Sequence, residues 1–123
     1  MSNAEVEFSI LAGSGAPVRS FKQGEIIFRE GDPATELYVI KSGRVDISTG
    51  NRLLATLDEN GIFGEMALID KTPRSATVTA VTDVELVPVN EKQFLFLVGQ
   101  TPFFALKVMR VLAGRLRAAN KAI

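Results

Sequence analysis

Neither cysteine nor histidine occurs in the 123 residues of this chain. Without thiols there is no disulfide, no thiolate metal site and no iron–sulfur ligation. Without imidazole there is no histidine haem ligand and no histidine general base. No run of about eighteen apolar residues and no charged-plus-apolar leader is present, which leaves no candidate membrane span or secretory signal and implies a cytoplasmic setting. Carboxylates show neither a metal-binding cluster nor a pair placed to share a reaction, so the expectation is a non-enzyme without metal or cofactor. Acidic residues are also missing from one region. Residues 92–123 hold 6 basic and no acidic side chains, whereas residues 1–91 hold 8 basic and 14 acidic ones. The basic end reads first as a solvated helix face whose cations suit a helix C-terminus. Contact with nucleic acid or an acidic partner is the alternative, although no base-reading module follows.

What is present suits one domain: 46% of the residues are apolar, enough for a core. Met1–Ala4 is small and polar and reads as partly tag-derived. The rest of segment 1–16 is weakly patterned, with Val6, Phe8, Ile10 and Leu11 ahead of a Gly13-Ser14-Gly15 joint. From Pro17 the chain alternates between short β-type runs and Gly, Asp or Asn turns. The runs are Val18–Lys22, Glu25–Phe28, Leu37–Ile40, Val45 with Ile47, Arg52–Leu57, Ser75–Ala80 and Val84–Val89. Such spacing predicts a mainly β fold, an antiparallel barrel or jelly roll over residues 17–89, with C-terminal helices over 90–123.

The helices are signalled by their ends. Asn90 with Gln93 makes a capping-box arrangement for a helix through about Val98, stopped by Gly99. Thr101-Pro102 then supplies an N-cap and a first-turn proline for a second helix. Along it Ala105, Val108, Met109, Leu112, Leu116, Ala119 and Ile123 recur at three- and four-residue spacing, with Lys107, Arg110, Arg117 and Lys121 on the other face. The apolar stripe can pack on the roll or on a second copy or partner. Its length favours a homodimer or partner contact through helix 102–123.

The chemistry concentrates in Phe63–Val78, Phe-Gly-Glu-Met-Ala-Leu-Ile-Asp-Lys-Thr-Pro-Arg-Ser-Ala-Thr-Val. Gly64 permits a positive φ or a close approach. Glu65–Ile69 is long enough for about one helical turn, whose N–H groups suit an anion. Arg74 is a permanent five-donor cation fit for a phosphate, Ser75 adds a hydroxyl and Ala76 an unhindered amide. A carboxylate beside a phosphate makes sense if Glu65 accepts from a ribose hydroxyl. The composite reads as a sugar-phosphate site.

These sixteen residues resemble the phosphate-binding cassette of the cyclic-nucleotide-binding domain family, the type found in catabolite activator protein and protein kinase A regulatory subunits. The resemblance implies an antiparallel β-roll. It also implies ligand contacts from Phe63, Gly64, Glu65, Met66, Ala67, Arg74, Ser75 and Ala76, with Gly64, Ala67 and Ala76 acting through backbone amides. Gly24, Gly31 and Gly43 match the turn glycines of that roll, as does Tyr38-Val39-Ile40 before Ser42-Gly43. One departure is Asn60-Gly61-Ile62-Phe63, where the family's glycine stands one place later; Asn60 can take a left-handed conformation and keep the turn. By the same resemblance Ile47, Leu54 and Ala55 line the base pocket. The last helix closes over the base, with Ala119 and Asn120 where the family carries Thr-Ser, so that Asn120 is the candidate base contact.

The expected ligand is cAMP, with cGMP second, because relatives tuned to cGMP often carry Thr where this chain has Ser75. The expected mechanism is a population shift: phosphate anchoring moves the one-turn helix, and Leu68 and Ile69 carry the movement to the last helix. The alternatives are a ligand-free interaction or dimerisation module of the same fold, or the sensor half of a DNA-binding transcription regulator. The latter requires a helix-turn-helix beyond Ile123, so no nucleic acid is expected to bind this chain alone.

Overall fold

The computed structural model describes residues 17–121, with side chains through 117. Eight strands form, most of them where alternation predicts. They are β1 (Arg19–Phe21), β2 (Ile26–Phe28), β3 (Glu36–Ser42), β4 (Val45–Thr49), β5 (Arg52–Leu57), β6 (Ile62–Phe63), β7 (Thr77–Ala80) and β8 (Val84–Asn90). They make two four-stranded sheets, ordered β1-β8-β3-β6 and β2-β7-β4-β5, with every pairing antiparallel. Three helices complete the described chain: α1 (Met66–Ile69), α2 (Glu91–Gln100) and α3 (Pro102–Lys121). The arrangement is the mainly β roll with C-terminal helices that the sequence implies.

The strand period of two sorts side chains into two cores. Tyr38, Ile40, Phe63, Val84 and Leu86 face the interior of the roll, where Val45, Val78 and Ala80 of the second sheet meet them. Leu37, Val39, Ile62, Val87 and Val89 point to the opposite face of the first sheet and pack on Leu97 of α2 and on Phe104 and Val108 of α3. Each completely buried Leu, Ile or Phe contributes about 1.5–3 kcal/mol relative to exposure.

Several local expectations shift. The strand expected over Ser75–Ala80 begins at Thr77, leaving Ser75 and Ala76 in the bend before it. Gly99 does not stop α2. The capping box of Asn90 and Gln93 opens the helix as expected, but it continues to Gln100 with Thr101 as C-cap. Asn60 takes φ +72°, and its amide donates to the Ile40 carbonyl at 2.8 Å, so the displaced glycine leaves the turn intact.

Helix α3 is rotated relative to the expected stripe. Phe104 and Val108 are buried, whereas Met109 and Leu116 are exposed. Lys107, expected on the outer face, is half-buried and donates from Nζ to the Asn60 carbonyl at 3.0 Å, tying α3 to the β5–β6 turn. Lys71, at its loop tip, forms an exposed ion pair with Glu91 at 3.4 Å. The segment 1–16 and the side chains of Ala119, Asn120 and Ile123 lie outside the described residues.

Candidate functional site

A cavity of about 640 Å³ opens between the cassette, the β4–β5 hairpin and α3. Phe63, Gly64, Glu65, Met66 and Ala67 line one side of it, and Arg74, Ser75 and Ala76 line another. Ile47, Leu54 and Ala55 form part of its hairpin wall. Every site residue expected from the sequence, except Asn120, whose side chain is not described, therefore meets in one place.

Arg74 is 7% exposed. Its guanidinium lies over the Phe28 ring, 4.1 Å from the centroid, and 5.7 Å from that of Tyr38. Nη1 donates to the Gly64 carbonyl at 3.3 Å. The backbone holds it on both sides, with its amide donating to Asp32 O and its carbonyl accepting from Gly31 N, each at 2.8 Å. Burial pushes its pKa below the ordinary arginine value, opposed by Tyr38, Glu36 and Asp32. An arginine stays protonated through such a shift, so this is a charge held short of solvation. Its Nε is buried without an acceptor.

Glu65 is the mirror case. Only 3% exposed, it sits at the N-cap position of α1 without capping it. Oε1 accepts from Arg115 Nη1, whose Nη2 also donates to the Ile62 carbonyl at 2.8 Å. Oε2 is buried with no donor. Arg74 Nε and Glu65 Oε2 are thus one donor and one acceptor, both buried, both unpaired and both belonging to residues that line the same cavity. Buried polar atoms are rarely left so, and such atoms mark where a ligand completes the hydrogen bonding.

Ser75 and Ala76 add to the donor side, since neither makes a hydrogen bond to a described residue. The Ala67 amide, expected to face a ligand, instead donates to the Gly64 carbonyl at 3.2 Å inside its own turn. The cavity therefore offers an anion-seeking edge at Arg74-Ser75-Ala76, a hydroxyl-seeking atom at Glu65 and an apolar wall on the hairpin.

Sequence reading missed Arg115, Phe28 and Leu112, all of which line the cavity. Arg115 is one basic residue among several on α3, and only the folded position of α3 beside β6 and the start of α1 sets it on Glu65. Of the two couplers named from sequence, Leu68 packs into the core shared with α3, while Ile69 is 52% exposed.

The family model described as "Cyclic nucleotide-binding domain" matches residues 18–101. The cyclic AMP receptor protein of Thermus thermophilus is 37% identical over 107 residues, 83% of this chain and 50% of the relative. The crystal structure of the catabolite activator protein of the same organism superposes with a TM-score of 0.80 at 35% identity, covering 98% of this chain and 57% of that one. The EAL enzyme Bd1971 in its cAMP-bound form gives a TM-score of 0.63 at 41% identity, over 86% of this chain and 29% of its own. Its cGMP-bound form gives 0.64 at 40%, over 86% and 30%. The chain spans about half the length of the curated relatives it matches.

Proposed function

Because the chain belongs to the cyclic-nucleotide-binding domain family, we propose that residues 17–123 form a sensor unit for a cyclic nucleotide, with cAMP preferred over cGMP. The observation that carries the reading is the pair of buried orphans, Arg74 Nε and Glu65 Oε2, beside one cavity. A cyclic phosphate supplies the acceptor Arg74 lacks, and a ribose 2′-hydroxyl supplies the donor Glu65 lacks. Ser75 and the Ala76 amide complete the phosphate cradle. Phe63, Gly64, Met66 and Ala67 shape it, and Ile47, Leu54 and Ala55 meet the base, with Asn120 as a further base contact. That Bd1971 has been solved with both cAMP and cGMP supports a pocket of this kind admitting either purine.

Binding, rather than turnover, is the role: the site holds a cation and a carboxylate aimed at different parts of a ligand and no nucleophile–base pair. Among the described residues no single helix is long and apolar enough to cross a membrane. A cytoplasmic setting, where cyclic nucleotides are made, fits the reading.

The output runs through α3. Arg115 links α3 to Glu65, so a ribose hydroxyl arriving at that carboxylate acts on the helix directly, and Leu68 adds a packing route. Ligand shifts the helix only by its affinity difference between the two positions. Met109 and Leu116, 57% and 64% exposed, give α3 an apolar edge for a second copy of the chain.

The test is calorimetric titration with cAMP, cGMP and 5′-AMP, repeated on Arg74→Ala. Tight cAMP binding that weakens by at least about 2 kcal/mol without the arginine is expected for a buried charge-assisted contact. Absence of heat with every nucleotide, from folded protein stripped of ligand, would leave an interaction module.

A further inference from the structure

Residues outside the cassette decide how Arg74 is held. Its amide and carbonyl are bonded to Asp32 and Gly31, in the turn that follows β2, and its guanidinium lies on Phe28 of β2 itself. The place of Phe28 follows from an irregularity. The β2–β7 register shifts between Ile26, opposite Thr79, and Phe28, opposite Val78, so that Ile27 is an extra residue. A bulge of this kind breaks strict alternation and re-aims side chains. Ile27 and Phe28, though adjacent, consequently both pack on the inner core, and Phe28 also lines the cavity.

The ring is itself held in place, flanked by Phe63 and Tyr38 with centroids at 5.9 and 6.1 Å. A fixed π face attracts a cation and sets the plane of a flat one. The Gly64 carbonyl takes Nη1, so both the plane and one corner of the guanidinium are defined. What remains is the Nε edge, buried and without an acceptor. Tyr38 is the lesser support, its centroid 5.7 Å from the guanidinium against 4.1 Å for Phe28. We propose that Phe28 is a positioning residue, whose π face holds Arg74 in its phosphate-receiving orientation before the ligand arrives. Such preorganisation raises affinity because a long side chain need not be ordered on binding. The proposal rests on the cyclic-nucleotide reading above.

The experiment replaces Phe28 by phenylalanines bearing one, two and three ring fluorines, which draw electrons from the π face and change its shape little. Calorimetric titrations of cAMP and cGMP follow on each chain. Affinity is expected to fall stepwise with fluorination, by about tenfold over the series. The fall should be equal for the two nucleotides, because it passes through the phosphate they share. Phe28→Leu is expected to reproduce the loss, and Phe28→Tyr, which keeps a π face, to stay within about twofold of the parent. In an Arg74→Ala background the fluorinated and unmodified rings should bind alike, as a ring acting through the arginine requires. The fluorinated rings keep the core filled, so the series decides the matter even where denaturant melts show that Phe28→Leu does not fold. Unchanged or rising affinity along the series, a loss that persists without Arg74, or a loss that differs between the nucleotides would overturn the role of Phe28 and leave the sensor reading standing. A parent chain that binds neither nucleotide overturns both.

Discussion

Nη1 of Arg74 stands 2.8 Å from the point where a β-carbon on Gly64 would lie, and the Gly64 φ is +79°. The glycine serves two purposes at once: its backbone adopts the left-handed region, and its missing side chain leaves room for the guanidinium that its own carbonyl then accepts from. Gly64→Ala is therefore expected to cost about 1–3 kcal/mol of stability through backbone strain. It should also weaken cyclic-nucleotide binding by more than a stability loss explains, because Arg74 is displaced. Denaturant melts and calorimetry on the same variant check both; normal affinity would mean that Arg74 has another resting position.

The Arg115–Glu65 pair joins two elements fifty residues apart in sequence. Removing Arg115 leaves a carboxylate with 3% side-chain exposure and no partner at either oxygen. Arg115→Met is expected to destabilise the fold by about 2 kcal/mol, below the 3–5 kcal/mol of a fully buried pair because Arg115 itself is partly solvated. Glu65→Gln should cost less, and the double variant less than the sum. A double-mutant cycle by chemical denaturation measures the coupling; additive losses would show that the pair contributes nothing as a pair.

Tyr38 is the chain's one tyrosine, so its ionisation is directly visible as phenolate absorbance. Burial, followed by the hydrogen bond and charge of Glu36, raises its pKa above the ordinary 10.0, against the opposing pull of Arg19 and Arg74. The folded value thus exceeds the unfolded one. The stability this contributes is complete below the unfolded pKa and disappears as pH rises through the folded one. An alkaline titration should show the native phenol ionising later than the urea-unfolded phenol. Coincident curves would mean that the Arg19–Glu36–Tyr38 cluster opens before the phenol ionises.

Met109 and Leu116 give the fourth prediction. If the edge of α3 pairs with a second copy, Leu116→Glu should convert a sedimenting dimer to a monomer while the unfolding midpoint stays within a few degrees. A monomeric parent chain would remove the seam from the proposal.

Much of this architecture is legible in the sequence, and the gaps have physical causes. Short β-type runs between turn residues locate seven strands, some alternating and others, such as β3, apolar on both faces because each face enters a core. The eighth, Ile62–Phe63, is two residues long and shows no period, although one side chain enters each core. The cassette is visible because its chemistry is local, from Phe63 to Ala76. Arg115 is not, since its partners Glu65 and the Ile62 carbonyl lie about fifty residues earlier in the chain and only the tertiary fold brings them together. The difference at α3 is a rotation: the expected stripe includes Ala105 and omits Phe104, and helical period alone cannot choose between adjacent faces when both carry apolar residues. Gly99 failed as a stop because α2 ends at Thr101, whose amide donates back to the Leu97 carbonyl at 2.8 Å.

Strand β3 is a party wall. Leu37 and Val39 belong to the helical side and Tyr38 and Ile40 to the roll, so the two apolar compartments share a partition and no common filling. A displacement of α2 and α3 disturbs the outer compartment and leaves the inner one, which carries the Tyr38 and Phe28 rings under Arg74, as it was. On the proposed sensor reading, the recognising side and the responding side meet where Glu65 holds Arg115 and where Leu68 packs on the core shared with α3. Substitutions on the two sides of β3 can consequently tune occupancy and response as separate properties of one small fold.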